Sequence, residues 1–136
     1  MNEKHSAICK LTFYETSAAS VISVYGKPGA KLMKHADGCM LPVVGCTLSE
    51  IRSSKGNFVD IELSARITDT SSESENRLLL CTYRYGVLVL EYTDGCKRVL
   101  GSNQAPIIIS YEKTGIPAAF VLNVKGTLPE YSKLLT

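Results

Sequence analysis

Residues 58–68 read Phe58-Val59-Asp60-Ile61-Glu62-Leu63-Ser64-Ala65-Arg66-Ile67-Thr68. Val59, Ile61, Leu63, Ala65 and Ile67 take the odd positions. Asp60, Glu62, Ser64, Arg66 and Thr68 take the even ones. A period of two puts every apolar side chain on one face of a strand and every polar one on the other. Such a strand belongs in an antiparallel sheet with one solvated side.

The same alternation recurs on both flanks. Upstream, residues 7–14 put Ala7, Cys9, Leu11 and Phe13 on one face, opposite Lys10 and Thr12. Residues 19–25 are β-branched and aromatic and predict a second strand, stopped by Gly26-Lys27-Pro28-Gly29. Residues 30–56 carry little pattern: a short strand is expected around Pro42 and another over Cys46–Ile51.

Downstream of Thr68, Thr70 with Glu73, or Ser72 with Glu75, fits a capping box. A helix is expected over 71–83 with Leu78, Leu79, Cys81 and Thr82 inward; a strand over Arg77–Arg84 is the competing assignment. Residues 87–92 (VLVLEY) predict a buried strand. Asp94-Gly95 marks a tight turn, because both residues tolerate positive φ. Residues 96–100 return antiparallel. Strands over Pro106–Glu112 and 118–125 follow, the first with Ile107, Ile109 and Tyr111 on one face. The whole pattern predicts a mainly β fold: an antiparallel β-sandwich or small barrel with one α-helix near residues 71–83. A single β-rich domain should span 1–128, with 129–136 as a loose C-terminal arm.

Composition narrows the function classes. The chain has 136 residues, 45% of them apolar, which suffices for one packed domain. Fifteen basic residues against thirteen acidic ones leave a charge of +2, too weak a field to argue for nucleic acid. No apolar run approaches the roughly 20 residues of a bilayer span. Met1–Ser6 shows no leader pattern. The five cysteines are odd in number and irregularly spaced. Reduced thiols in a cytoplasm are therefore expected, with cysteine as core filler.

Candidate chemistry is sparse. His5 with Cys9, and His35 with Cys39, form two His-x-x-x-Cys pairs, and Cys46 lies seven residues beyond the second. Zinc would need four such ligands converging in a tetrahedron. No Cys-x-x-Cys is present, and i, i+4 spacing brings ligands together only on a helix. Cys46 and Cys96 each follow a glycine, but no histidine neighbours either to act as base. Gly26–Lys31 lacks the Gly-Lys-Ser/Thr ending of a phosphate loop. Asp60 and Glu62 share a strand face, which solvation explains. Lys97 and Arg98 near Tyr92 make no nucleic-acid stripe. Hence no catalytic residue, no cofactor, no metal, no nucleic acid and no membrane partner is expected.

Residues 57–128 carry a broader pattern. An alternating strand and a Thr/Ser-Glu capped segment lead into Val87-Leu88-Val89-Leu90-Glu91-Tyr92-Thr93-Asp94-Gly95. Then come Arg98-Val99-Leu100-Gly101-Ser102, Pro106-Ile107-Ile108-Ile109-Ser110-Tyr111 and Phe120-Val121-Leu122-Asn123-Val124-Lys125-Gly126-Thr127. This order resembles small uncharacterised proteins encoded among the tail and neck genes of prophages of anaerobic gut bacteria. The resemblance implies a structural or assembly role, not an enzyme. It implies a homo-oligomer or docking on other phage tail or neck proteins, in the host cytoplasm with incorporation into the virion. Contact would come from strand edges and from loops such as 28–40 and 101–106. A β-sandwich binding module of other origin is the alternative expectation.

Overall fold

The computed structural model describes residues 7–23, 29–52, 58–115 and 118–135. Eleven strands and one helix are assigned among them. The strands are β1 (Ile8–Glu15), β2 (Ala19–Ser23), β3 (Ala30–Lys34), β4 (Cys39–Leu41), β5 (Gly45–Arg52), β6 (Val59–Ile67), β7 (Gly86–Tyr92), β8 (Lys97–Leu100), β9 (Ser110–Thr114), β10 (Ala119–Leu128) and β11 (Lys133–Leu134), and α1 (Ser72–Cys81) lies between β6 and β7. Two antiparallel sheets form a sandwich-like body. One has the order β11-β8-β7-β1-β4 and the other β5-β6-β10-β9, while β2 and β3 form a separate hairpin. The expected β-rich class with one helix is the observed one.

The alternating segment became β6. Val59, Ile61, Leu63, Ala65 and Ile67 are all buried, and the residues between them are exposed. It lies between β5 and β10, pairing with β10 from Phe120↔Ile67 to Leu128↔Val59. Its apolar face, with Phe120, Leu122 and Val124, meets Leu11, Phe13, Leu41, Leu88, Leu90 and Leu100 from the first sheet in one core.

A second core explains the unbroken run Val87–Leu90. Leu88 and Leu90 face the sandwich interior, whereas Val87 and Val89 pack outward with Tyr14, Val99, Ala19 and Ala30. Val21, Leu32 and Leu135 cover them. The β2–β3 hairpin is therefore a third layer, and a strand buried on both faces needs no polar alternation.

Several expectations are corrected. Cys9 does not face inward with Leu11 and Phe13. The register slips between Ile8↔Tyr92 and Lys10↔Glu91, so Ile8 is buried and Cys9 turns to solvent. One extra residue in a strand flips the side chains beyond it to the other face. The expected loop 28–40 is largely β3 and the start of β4, although residues 24–28 lie outside the described set. The expected strand from Pro106 begins at Ser110; Ile107 makes only an isolated bridge to Gly86.

The helix exists, but neither expected box caps it. Ser71 is the N-cap, its Oγ accepting the Ser74 N–H at 3.3 Å, and Asp69 Oδ1 accepts the Ser71 N–H at 3.0 Å. Hydrogen bonding from Ser71 holds Asp69's carboxyl below its ordinary range. Ser74, Leu78 and Cys81 are the buried helical residues, and Leu79 is not among them. At 100° per residue three successive leucines cannot share one face.

The C-terminal arm is docked, not loose. Lys133 and Leu134 pair with Val99 and Arg98. Ser132 donates its N–H to Glu50 Oε1 at 2.6 Å and its hydroxyl to Glu50 Oε2 at 3.2 Å. Its carbonyl accepts from Arg98 Nη1 at 3.2 Å. One buried serine thus ties β5, an edge of one sheet, to β8 of the other.

Candidate functional site

The histidine and cysteine candidates do not converge. His35 is exposed and shares a 3.3 Å hydrogen bond with Ser20 Oγ. Cys9 is exposed on the β1 bulge, within 3.4 Å of the Glu91 carbonyl. Cys39 is bonded to Cys81 in a disulfide that spans 42 residues. This corrects the expectation of five reduced thiols. Cys46 sits half-buried on β5, where burial pushes its thiol up to about 11. Cys96 is exposed, with its thiol raised first by a hydrogen bond to Asp94 and then by that carboxylate's charge. His5 lies outside the described residues. Among those described, no group of three His, Cys, Asp or Glu side chains could hold a metal ion.

The other chemical candidates are accounted for locally. Asp60 accepts from Thr127 Oγ1 at 3.4 Å, and Glu62 lies 4.0 Å from Lys125 Nζ. Lys97 lies 3.9 Å from Glu91. Of the glycine-rich segment, Ala30 and Lys31 begin β3, and residues 26–28 fall outside the described set.

A different feature stands out at the end of the body where α1 meets β7. Leu79 and Leu80 project from the last turn of α1, and Tyr83 and Tyr85 from the segment that leaves it. With Ile108 they are between 39% and 64% exposed. The bridge between Gly86 and Ile107 sets Tyr85 opposite Ile108.

Hydrogen bonds tie the backbone of this end to the body. Thr82 stops the helix, donating both its N–H (2.9 Å) and its hydroxyl (2.8 Å) to the Leu78 carbonyl. Tyr83 then adopts φ 59°, a left-handed conformation that is uncommon for a bulky residue. Its N–H is held by Ile109 O at 2.8 Å and its hydroxyl donates to Tyr111 O at 3.3 Å. The Tyr83 ring lies 6.3 Å from that of Tyr111, which meets the buried Phe120 edge-on at 5.7 Å. Burial, and secondarily the Glu75 carboxylate, raises the Tyr111 phenol. Tyr85 O accepts from Thr16 N–H at 3.2 Å, and Arg84 pairs with Glu15 at 2.8 Å.

No family model, no curated protein and no solved structure matches the chain. The likeness to prophage tail and neck proteins gains no support from them, and the site must be judged on its own geometry.

Two concave regions accompany the apolar end. A cleft of about 700 Å³ runs beside it, lined among others by Phe13, Cys39, Met40, Arg77, Leu80 and Arg84. A smaller one of about 280 Å³ lies between the hairpin, the 101–105 loop and the C-terminal arm. The expected contact loop 101–106 walls this second cleft, where Ser102 Oγ accepts the Ala105 N–H at 3.1 Å. No helix among the described residues is long and apolar enough to cross a membrane.

Sequence reasoning missed the apolar end because it placed Leu79 in the core. The available signal was Leu78-Leu79-Leu80 on a ten-residue helix followed by Tyr83-Arg84-Tyr85. One of the three leucines satisfies the core, and the others must look elsewhere.

Proposed function

We propose that this chain is a non-enzymatic β-sandwich binding module that docks a protein partner on the apolar end made by Leu79, Leu80, Tyr83, Tyr85 and Ile108. One observation carries this. Tyr83 is kept at positive φ with its N–H on Ile109 O and its hydroxyl on Tyr111 O while its ring stays exposed, and Leu79, Leu80, Tyr85 and Ile108 are exposed as well. Backbone strain of this kind persists where surrounding structure over-determines it, and it gathers at ligand-contacting sites. A pre-arranged surface also loses less conformational entropy on binding. Tyrosine is enriched at the centres of protein interfaces.

Site-specific photocrosslinking tests the proposal. A crosslinker at position 80 should capture one defined partner that a crosslinker at Ser64, on the polar sheet face, does not. Leu80→Asp should then weaken binding of that purified partner by about tenfold or more. Equal capture from both positions would refute it.

Self-association is a second proposal, favoured by β5. This eight-residue edge strand pairs only with β6 among the described strands and contains no proline or lysine. Edges of this length can pair with another chain, although Glu50 and Arg52 on this strand already engage Ser132 and Tyr131 of the C-terminal arm. The tail or neck assembly role, in a host cytoplasm and a virion, belongs to this proposal. Light scattering separates the two: a concentration-dependent large species supports it, and a monomer at high micromolar concentration opposes it.

A further inference from the structure

The Cys39–Cys81 disulfide ties the last residue of α1 to the first residue of β4. Cys81 is the last residue of α1 and is fully buried. Cys39 is the first residue of β4, a three-residue edge strand whose partner is β1. The helix buries only Ser74, Leu78 and Cys81 among its own residues. A ten-residue helix does not hold its shape in water without such support.

Access to the two sulfurs differs. Cys39 lines the 700 Å³ cleft together with Gly38, Met40, Arg77 and Leu80, and its Sγ lies 3.7 Å from the Arg77 carbonyl oxygen. Cys81 has no exposed surface. Cys39 is half-buried and borders the cleft, so of the two it is the sulfur nearer to an attacking thiolate, with Cys81 as the leaving group.

We infer that this disulfide is a reducible latch that regulates the order of α1 and, resting on the docking proposal above, the presentation of Leu79, Leu80 and Tyr83. The reductant is a dithiol. Its first thiolate attacks Cys39 Sγ, forming a mixed disulfide and releasing Cys81 as a thiolate that takes up a proton. Its second thiolate attacks its own sulfur within the mixed disulfide, releasing Cys39 as a thiolate that is protonated in turn. Two electrons pass to the protein, and the reductant leaves as a cyclic disulfide. The buried Cys81 thiol remains as apolar filler, but a crosslink spanning 42 residues is gone. An oxidising compartment keeps the apolar end rigid, and a reducing one loosens it.

Hydrogen exchange on the full chain, before and after native treatment with dithiothreitol, tests the latch. Reduction without denaturant should add two alkylatable thiols by mass. Amide protection over 75–83 should fall by about tenfold while β6 and β10 keep theirs. The double variant Cys39→Ser/Cys81→Ser should match the reduced protein. Resistance to dithiothreitol until global unfolding would overturn the inference, as would reduction with unchanged protection, or loss of protection across the whole body. The readout needs no partner. A latch that opens while position 80 captures nothing refutes the docking proposal alone; capture by a chain whose helix ignores reduction refutes the latch alone.

Discussion

Asn103 holds Val21 across 82 residues of sequence, its Oδ1 accepting the Val21 N–H at 2.9 Å. Its Nδ2 group donates to Thr16 O at 3.2 Å and Ala19 O at 3.0 Å. One amide side chain therefore fastens the β2–β3 hairpin over the outer face of the first sheet. Asn103→Ala leaves a donor and two acceptors without it, at a cost of about 2 kcal/mol. A melting temperature lowered by roughly 7 °C is expected for a domain of this size. Asn103→Asp keeps the acceptor for Val21 and should fall between wild type and alanine. No loss in either variant would show that the hairpin is held by its apolar contacts alone.

Gly86 is required by a close approach. A Cβ there would collide with the carbonyl oxygen of Tyr14 and the ring of Phe13. Both belong to β1, which Gly86 pairs at Glu15. Gly86→Ala should cost about 3 kcal/mol, through forced displacement of a packed strand. Gly126, with open space within 4 Å of the same atom, is the control. Gly126→Ala should change stability by less than about 0.5 kcal/mol. Urea melts of the two variants would decide the point.

Cys46 sets an alkaline limit. Burial raises its thiol from 9.0 in the unfolded chain to about 11 in the fold. A raised pKa means that the folded state holds the proton more tightly. This contribution to stability is complete below pH 9 and is lost as pH climbs towards 11. Cys46→Ala should flatten the stability profile over that window without altering its shape near neutrality. In the same protein at neutral pH, iodoacetamide should modify the exposed Cys9 and Cys96 before Cys46. Rapid labelling of Cys46 would mean that β5 opens readily.

Tyr83 offers a test of strain. At φ 59° asparagine and glycine are tolerated and a β-branched residue is not. Asparagine and valine alike lose the hydroxyl bond to Tyr111 O and the ring contact. Tyr83→Asn should therefore melt above Tyr83→Val by roughly 4 °C. The reverse order would mean that the Tyr83 backbone is not confined to this conformation.

Much of the fold was legible because its longest strands announce themselves locally. The β6 alternation gave both the strand and its buried face. Asp94-Gly95 marked the β7–β8 turn, where Gly95 has φ 91° and donates its N–H to Tyr92 O. Residues 30–56 were less legible because β3, β4 and β5 are short or lie at edges, half-covered and with mixed patterns. The candidate site was only faintly legible: three successive leucines on one short helix imply that some stay uncovered, but an exposed leucine and a buried one look alike in the row.

By itself the sequence determined a mainly β fold, the buried face of β6 and the turn at Asp94-Gly95, since these depend on side-chain period, β-branching and local φ preference; it left helix and strand both open for the segment that became α1. Only the tertiary structure decided that Cys39 meets Cys81, that Cys9 faces water, that the hairpin becomes a third layer and that Leu79 and Leu80 stay uncovered. Those outcomes depend on strand register and on contacts between residues tens of positions apart, which no local window contains.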